Sequence, residues 1–284
     1  MARPQDGGIG GLGALLLMLV YVAGGFAVAA LAALSTMLMQ GVSWSEALAA
    51  ASASPLLASF AQLGGATLAI GAGVTFTHGE VRYRDALGIQ PVNAAVLMLV
   101  LSAGFALSFP LKEVALLLSD AVPVMAPDPD RALALARLIR VDSFSDAIIV
   151  PLAFVAIPAI SEELLFRGLL LPGLAKRMHP RLALVVSAVL FGLIHGAPVA
   201  MVYATLAGLA LGWLRSRTGS VLPCVAMHGA VNAMPILISP ELIRIRGFNT
   251  IEADVYHLPL LLVLGSLLVT LACLVFAARL SEDR

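Results

Sequence analysis

The chemistry-bearing residues of this sequence fall in three short stretches. Glu162 and Glu163 stand side by side in the run from Pro158 to Gly168, and Arg167 follows Glu163 by four residues. Neighbours on a helix point about 100° apart, so at most one of the two carboxylates aims into a given pocket. The i,i+4 spacing puts Glu163 and Arg167 on one face, where pairing offsets part of the cost of burying each charge. His195 lies in Phe191-Gly-Leu-Ile-His195-Gly-Ala-Pro198, and His228 and Asn232 are again i,i+4. A carboxylate beside an imidazole in a partly dry cavity can deprotonate water. Burial raises the pKa of a carboxylic acid and lowers that of an imidazole. A second imidazole and an amide can donate to the oxyanion formed when water adds to a carbonyl, and losing one such donor costs about 3–4 kcal/mol. Zinc chemistry is the competing reading, with Glu162, His195 and His228 as ligands. The Arg167 charge argues against a tightly held cation and the paired glutamates argue for one. No serine or cysteine arrangement is as persuasive. Cys224 and Cys273 sit in apolar runs and read as packing residues, not a disulfide.

These side chains demand explanation because of the elements that carry them. The chain has 284 residues, 60% hydrophobic and 12% charged, against about 25% charged in soluble domains. Mean hydropathy is +0.99. Apolar runs of about 20 residues recur, the length that crosses a bilayer, and backbone satisfaction in lipid makes them helices. The expected fold is all-α, a polytopic transmembrane bundle with a polar intramembrane cavity, forming one integral membrane domain over 1–284. Eight spans are read, roughly 12–36, 54–75, 92–117, 147–173, 181–197, 199–214, 219–239 and 257–279. The fifth and sixth are short and meet at Pro198, which favours a turn. The first run is longer than a signal-peptide core, so it reads as a retained helix.

Positive charge orients the bundle. With the N-terminus in the cytoplasm, ten basic residues fall inside (Arg3, Arg82, Arg84, Lys176, Arg177, Arg181, Arg215, Arg217, Arg279 and Arg284) and five outside. Both termini are then cytoplasmic. Counting about 1.5 Å per residue from the cytoplasmic ends, Glu162, His195 and Asn232 each lie about 20 Å deep, and His228 about 6 Å shallower. The stretch Arg131–Val141 alternates apolar residues with arginines, as an interfacial helix does, although a solvated connector is the simpler reading. Net charge is zero, with 17 basic and 17 acidic residues. That leaves no basic surface for nucleic acid.

Glu162-Glu163-Leu-Leu-Phe-Arg167, Phe191-Gly-Leu-Ile-His195 and His228-Gly-Ala-Val-Asn232 together resemble the CAAX protease and bacteriocin-processing family of intramembrane endopeptidases. The resemblance covers about 147–238, the expected catalytic core. It implies Glu162 as the base that activates water with His195 as its partner. It also implies His228 and Asn232 as oxyanion donors, with Glu163 and Arg167 organising the site. No cofactor is expected, with Zn2+ as the alternative because such enzymes have long been labelled metalloproteases. The implied substrate is a membrane-associated protein or peptide, cut near its C-terminus in some relatives, while the alanine-, leucine- and arginine-leaning composition with short loops suggests a bacterial chain of the inner membrane. Prenyl-cysteine specificity is not assigned. Three rivals remain: a purely structural ion network, a proton-coupled transporter, and a non-enzymatic peptide-binding immunity protein. Oligomeric state is not readable.

Overall fold

The apolar runs become helices, and their punctuation follows local chemistry. The computed structural model describes residues 9–78, 83–126, 128–250 and 255–282. Of the charges that orient the chain, Arg3, Arg82 and Arg284 lie outside those residues. The main helices are α1 Gly11–Gln40, α2 Trp44–Ser52, α3 Pro55–His78, α4 Ala94–Ala121, α5 Pro129–Leu138, α6 Asp146–Ala175, α7 Pro180–Leu193, α8 Pro198–Thr218, α9 Leu222–Leu237 and α10 Leu260–Glu282. Among the described residues every regular element is helical. Six of these helices are long and apolar enough to cross a membrane: α1, α3, α4, α6, α8 and α10. α7 and α9 are shorter apolar helices. Of the eight expected spans six match long helices, and the two short ones are the fifth and seventh, α7 and α9, not the expected fifth and sixth.

Glycine and proline set the ends. Gly41 adopts φ 66° and returns its N–H to Met37, closing α1. Ser43 and Glu46 form a reciprocal capping box that starts α2, an element absent from the sequence reading. Gly196 has φ 74° and Pro198 opens α8, so α7 stops at Leu193. The expected span to 197 is therefore too long, and His195 occupies the turn beyond the helix. α5 coincides with most of the expected amphipathic stretch; Asp128 caps it and it buries none of its described residues.

α6 is the central helix. Its apolar window is 44% buried, against 17% for α1 and for α10, and it touches α3, α7, α8 and α9. The outer helices instead expose Leu12, Phe26, Leu261 and Leu268, as lipid-facing residues do. α1 and α3 cross with main chain against main chain. A Cβ on Gly65 would strike the Tyr21 carbonyl, and one on Gly24 would come within 2.9 Å of Gly65 Cα. Only residues without side chains permit that approach.

α6 is not the regular helix expected over 147–173. It contains two wide, π-helical turns, Leu152–Ala156 and Leu164–Leu170. Each is closed by an i→i−5 bond, Ile157 N–H to Leu152 and Leu171 N–H to Phe166. Each is followed at once by a proline, Pro158 or Pro172, which has no N–H to give. The second turn has a specific result. The Arg167 carbonyl loses Leu171, which bonds Phe166, and can gain nothing from Pro172. Arg215 Nε of α8 supplies the donor instead, at 3.1 Å. Beside it, Ser220 Oγ donates to the Gln90 carbonyl at 2.6 Å and Val221 N–H to the Gly88 carbonyl at 3.0 Å, tying the 87–93 segment to the start of α9.

Candidate active site

The wound middle of α6 presents two acids in different directions. Glu163 is fully buried, and its Oε1 accepts from Arg167 Nη1 at 2.7 Å and from His228 Nδ1 at 2.9 Å. Arg167 is only 1% exposed. Its Nη2 donates to the Gly208 carbonyl at 3.1 Å, and its guanidinium lies 4.2 Å from the Phe191 ring centroid. One buried charge pair therefore ties α6 to α7, α8 and α9. The pairing is single-pronged, with Glu163 Oε2 and Arg167 Nε lacking a partner.

Glu162 faces another way. It is 8% exposed. Its Oε1 accepts from Gln62 Nε2 of α3 at 2.7 Å, and its Oε2 stands 3.9 Å from His228 Nε2. A water hydrogen-bonded to both of those atoms at about 2.8 Å would see them about 90° apart, a relaxed geometry for one water. His228 thus links the two acids. Because its Nδ1 meets a carboxylate that only accepts, Nδ1 carries a hydrogen and Nε2 is the atom free to gain or lose one.

His195 is set by the turn after α7. Its Nδ1 lies 3.0 Å from the Phe191 carbonyl. A carbonyl only accepts, so Nδ1 is the donor and the lone pair of the neutral ring sits on Nε2. Phe191 supports both imidazoles edge-on, at 5.1 Å from His195 and 5.6 Å from His228. His195, His228 and Asn232 line one small cavity of about 40 Å³, with Tyr203, Leu107 and Met227 among its walls. Glu162 is not among the lining residues. The sequence reading couples Glu162 to His195, whereas the imidazole within 4 Å of Glu162 is that of His228.

Residues outside the three motifs also reach the acids. Gln62 was not singled out from sequence, although it interrupts an apolar span as Glu162 does. Tyr21 of α1 faces both Gln62 and Ser161. Arg215, read as an orienting charge, proves to hold the main chain of Arg167. Of the cysteines, Cys224 is fully buried and Cys273 half-buried, and both are free.

Among the described residues no three His, Cys, Asp or Glu side chains gather as a metal site. The donor chemistry agrees. Glu163 Oε1 is already shared by a guanidinium and an imidazole, and Glu162 Oε1 is taken by an amide. Those two oxygens are not open to a zinc ion, and no step below runs through one.

A helical membrane bundle with paired acids and imidazoles in its interior can support hydrolysis of the Glu/His type. The family comparison agrees. The model for Rce1-like proteins, described as Type II CAAX prenyl endopeptidase Rce1-like, matches residues 144–234. Over that segment the chain is similar to the Rce1-like endopeptidase family. The match contains all six candidate residues and leaves α1 to α5 and α10 outside it. No curated protein and no solved structure matches the chain.

Proposed function

We propose that the chain hydrolyses a peptide bond in a membrane-associated protein or peptide, with Glu162 activating the water. The observation that carries this reading is the Glu162 Oε2–His228 Nε2 pair, 3.9 Å apart and beside the His195–Asn232 cavity. Glu162 takes a proton from the water as its oxygen adds to the scissile carbonyl. The His195 Nε2 lone pair orients that water from the cavity side. The negative oxygen of the tetrahedral intermediate accepts from the Asn232 amide and from His228 Nε2 when that atom is protonated. Glu162 then returns its proton to the leaving nitrogen as the C–N bond breaks. Glu163 and Arg167 keep His228 oriented. In a water-poor interior such fixed donors are worth more than in bulk water.

The same reading takes α7 and α9 as the short fifth and seventh of eight crossings, with both termini in the cytoplasm of a bacterial cell. The substrate class includes C-terminal processing of anchored proteins.

Comparative proteomics of host membranes carrying wild type or Glu162→Ala tests the reading and yields a cut site. Purified wild type, Glu162→Ala and His195→Ala are then given that peptide tethered in liposomes. Cleavage by wild type alone is expected, and equal cleavage by all three would reject the assignment. Elemental analysis of active protein decides the zinc alternative: one bound zinc per chain would replace the direct glutamate mechanism.

A further inference from the structure

Part of the surroundings of Glu162 comes from helices that the family match leaves out. Gln62 reaches Glu162 across 100 positions of sequence. An amide in an apolar span is costly unless partnered, and the partner here is the acid of the proposed reaction. The α1–α3 crossing explains how it gets there. Gly65 follows Gln62 by three residues and Gly24 follows Tyr21 by three. Each polar side chain therefore lies about one turn from the point where the two backbones touch. Tyr21 in turn lies near Gln62 and Ser161.

We propose that Gln62 is a positioning residue for the hydrolysis: it holds the Glu162 carboxylate by Oε1 and so keeps Oε2 turned toward His228 and the water. An acid gripped at one oxygen cannot spin about its terminal torsion, which is otherwise soft. The donor also occupies the oxygen that a reagent could otherwise reach. The function of Gln62 rests on the reading given under Proposed function, but its grip on Glu162 does not.

The test uses two readouts on the full chain in detergent. The first needs no substrate. Dicyclohexylcarbodiimide attacks the protonated acid, and mass spectrometry follows its addition to Glu162 at pH 7. Gln62→Met keeps the length and removes the donor; labelling should quicken at least about threefold while the melting temperature stays near wild type. The second readout is cleavage of the tethered peptide. Gln62→Met should lower kcat about 10–100-fold, the scale of a misplaced catalytic group, with KM little changed. Gln62→Glu supplies a conservative partner that donates only while protonated, so its cleavage should recover toward low pH and fall as pH rises. A merely structural amide would not produce that profile. Wild-type labelling in folded Gln62→Met, or wild-type kcat in that variant, overturns the proposal. Should Gln62→Met fail to fold, the pH profile of Gln62→Glu decides, and a flat one overturns it. Faster labelling of Gln62→Met without any Glu162-dependent cleavage upholds the contact and rejects the hydrolase reading instead.

Discussion

Replacing Arg167 by methionine tests the buried ion pair most directly. Breaking a buried pair by removing one partner costs about 3–5 kcal/mol, because the other charge is left uncompensated. Here His228 still donates to the same Glu163 oxygen, which favours about 3 kcal/mol, the lower end. Two further contacts go with the guanidinium: the bond to the Gly208 carbonyl and the stacking on Phe191. Each is worth about 1–2 kcal/mol, and contacts sharing one side chain do not add fully. A total of about 4 kcal/mol follows. At about 2 °C per kcal/mol for a chain this long, melting should fall by about 8 °C. Cys224 is a built-in reporter, since its thiol is fully buried. A thiol-reactive dye, used in a Cys273→Ser background, lights up as the bundle opens. Melting of Arg167→Met within about 1 °C of its parent would refute the pairing argument. So would strict additivity in the cycle with Glu163→Gln. The double variant should recover about 2 kcal/mol relative to the sum of its parts.

Substitutions at three other sites probe the supports. Arg215→Met removes the donor to the Arg167 carbonyl and should cost about 1–3 kcal/mol in the same melting assay; Arg215→Lys should not restore it, because an ammonium lacks the guanidinium fork. Gly65→Val pushes a side chain against the Tyr21 carbonyl and should cost about 1–3 kcal/mol, and carbodiimide labelling of Glu162 should quicken as Gln62 withdraws. Glu46 is held below the ordinary carboxylate range by the Ser43 hydroxyl and N–H, so its capping contribution is present above the unfolded value and is lost as pH falls through the folded one. The melting difference between wild type and Glu46→Ala should therefore be full at pH 7 and vanish as pH falls well below about 4.

Much of this was legible in the residues. Long apolar runs gave the positions of α1, α3, α4, α6, α8 and α10, and charges within them drew attention to Glu162, Glu163 and Arg167. The i,i+4 spacing of Glu163 and Arg167 correctly anticipated a shared face. Finer features were hidden for physical reasons. Hydropathy does not see that Gly196 can take a left-handed turn, so α7 was drawn four residues too long and His195 was placed inside it. The capping box at Ser43 and Glu46 was readable by its spacing but stood outside any apolar run. Pro158 and Pro172 mark where hydrogen bonds must fail, yet a proline alone does not say whether a helix kinks, stops or widens. Which imidazole meets which acid depends on helix rotation in three dimensions. Sequence spacing fixes that within one helix but not between two, so the closeness of His228 to Glu162 could not be read. Gln62 fell to the same limit, since a neutral amide in a span attracts less notice than a charge.

The widened winding at Leu164–Leu170 makes this part of the chain intolerant of a change in length. A π turn holds one residue more than a regular ladder uses. Deleting Leu164 would let Leu171 bond the Arg167 carbonyl in the ordinary way, leaving the Arg215 side chain without its acceptor and shortening the Glu163–Arg167 interval. Local helix quality would improve while the grip between α6 and α8 was lost. The site therefore depends on a surplus residue, and a more perfect helix would make a poorer enzyme.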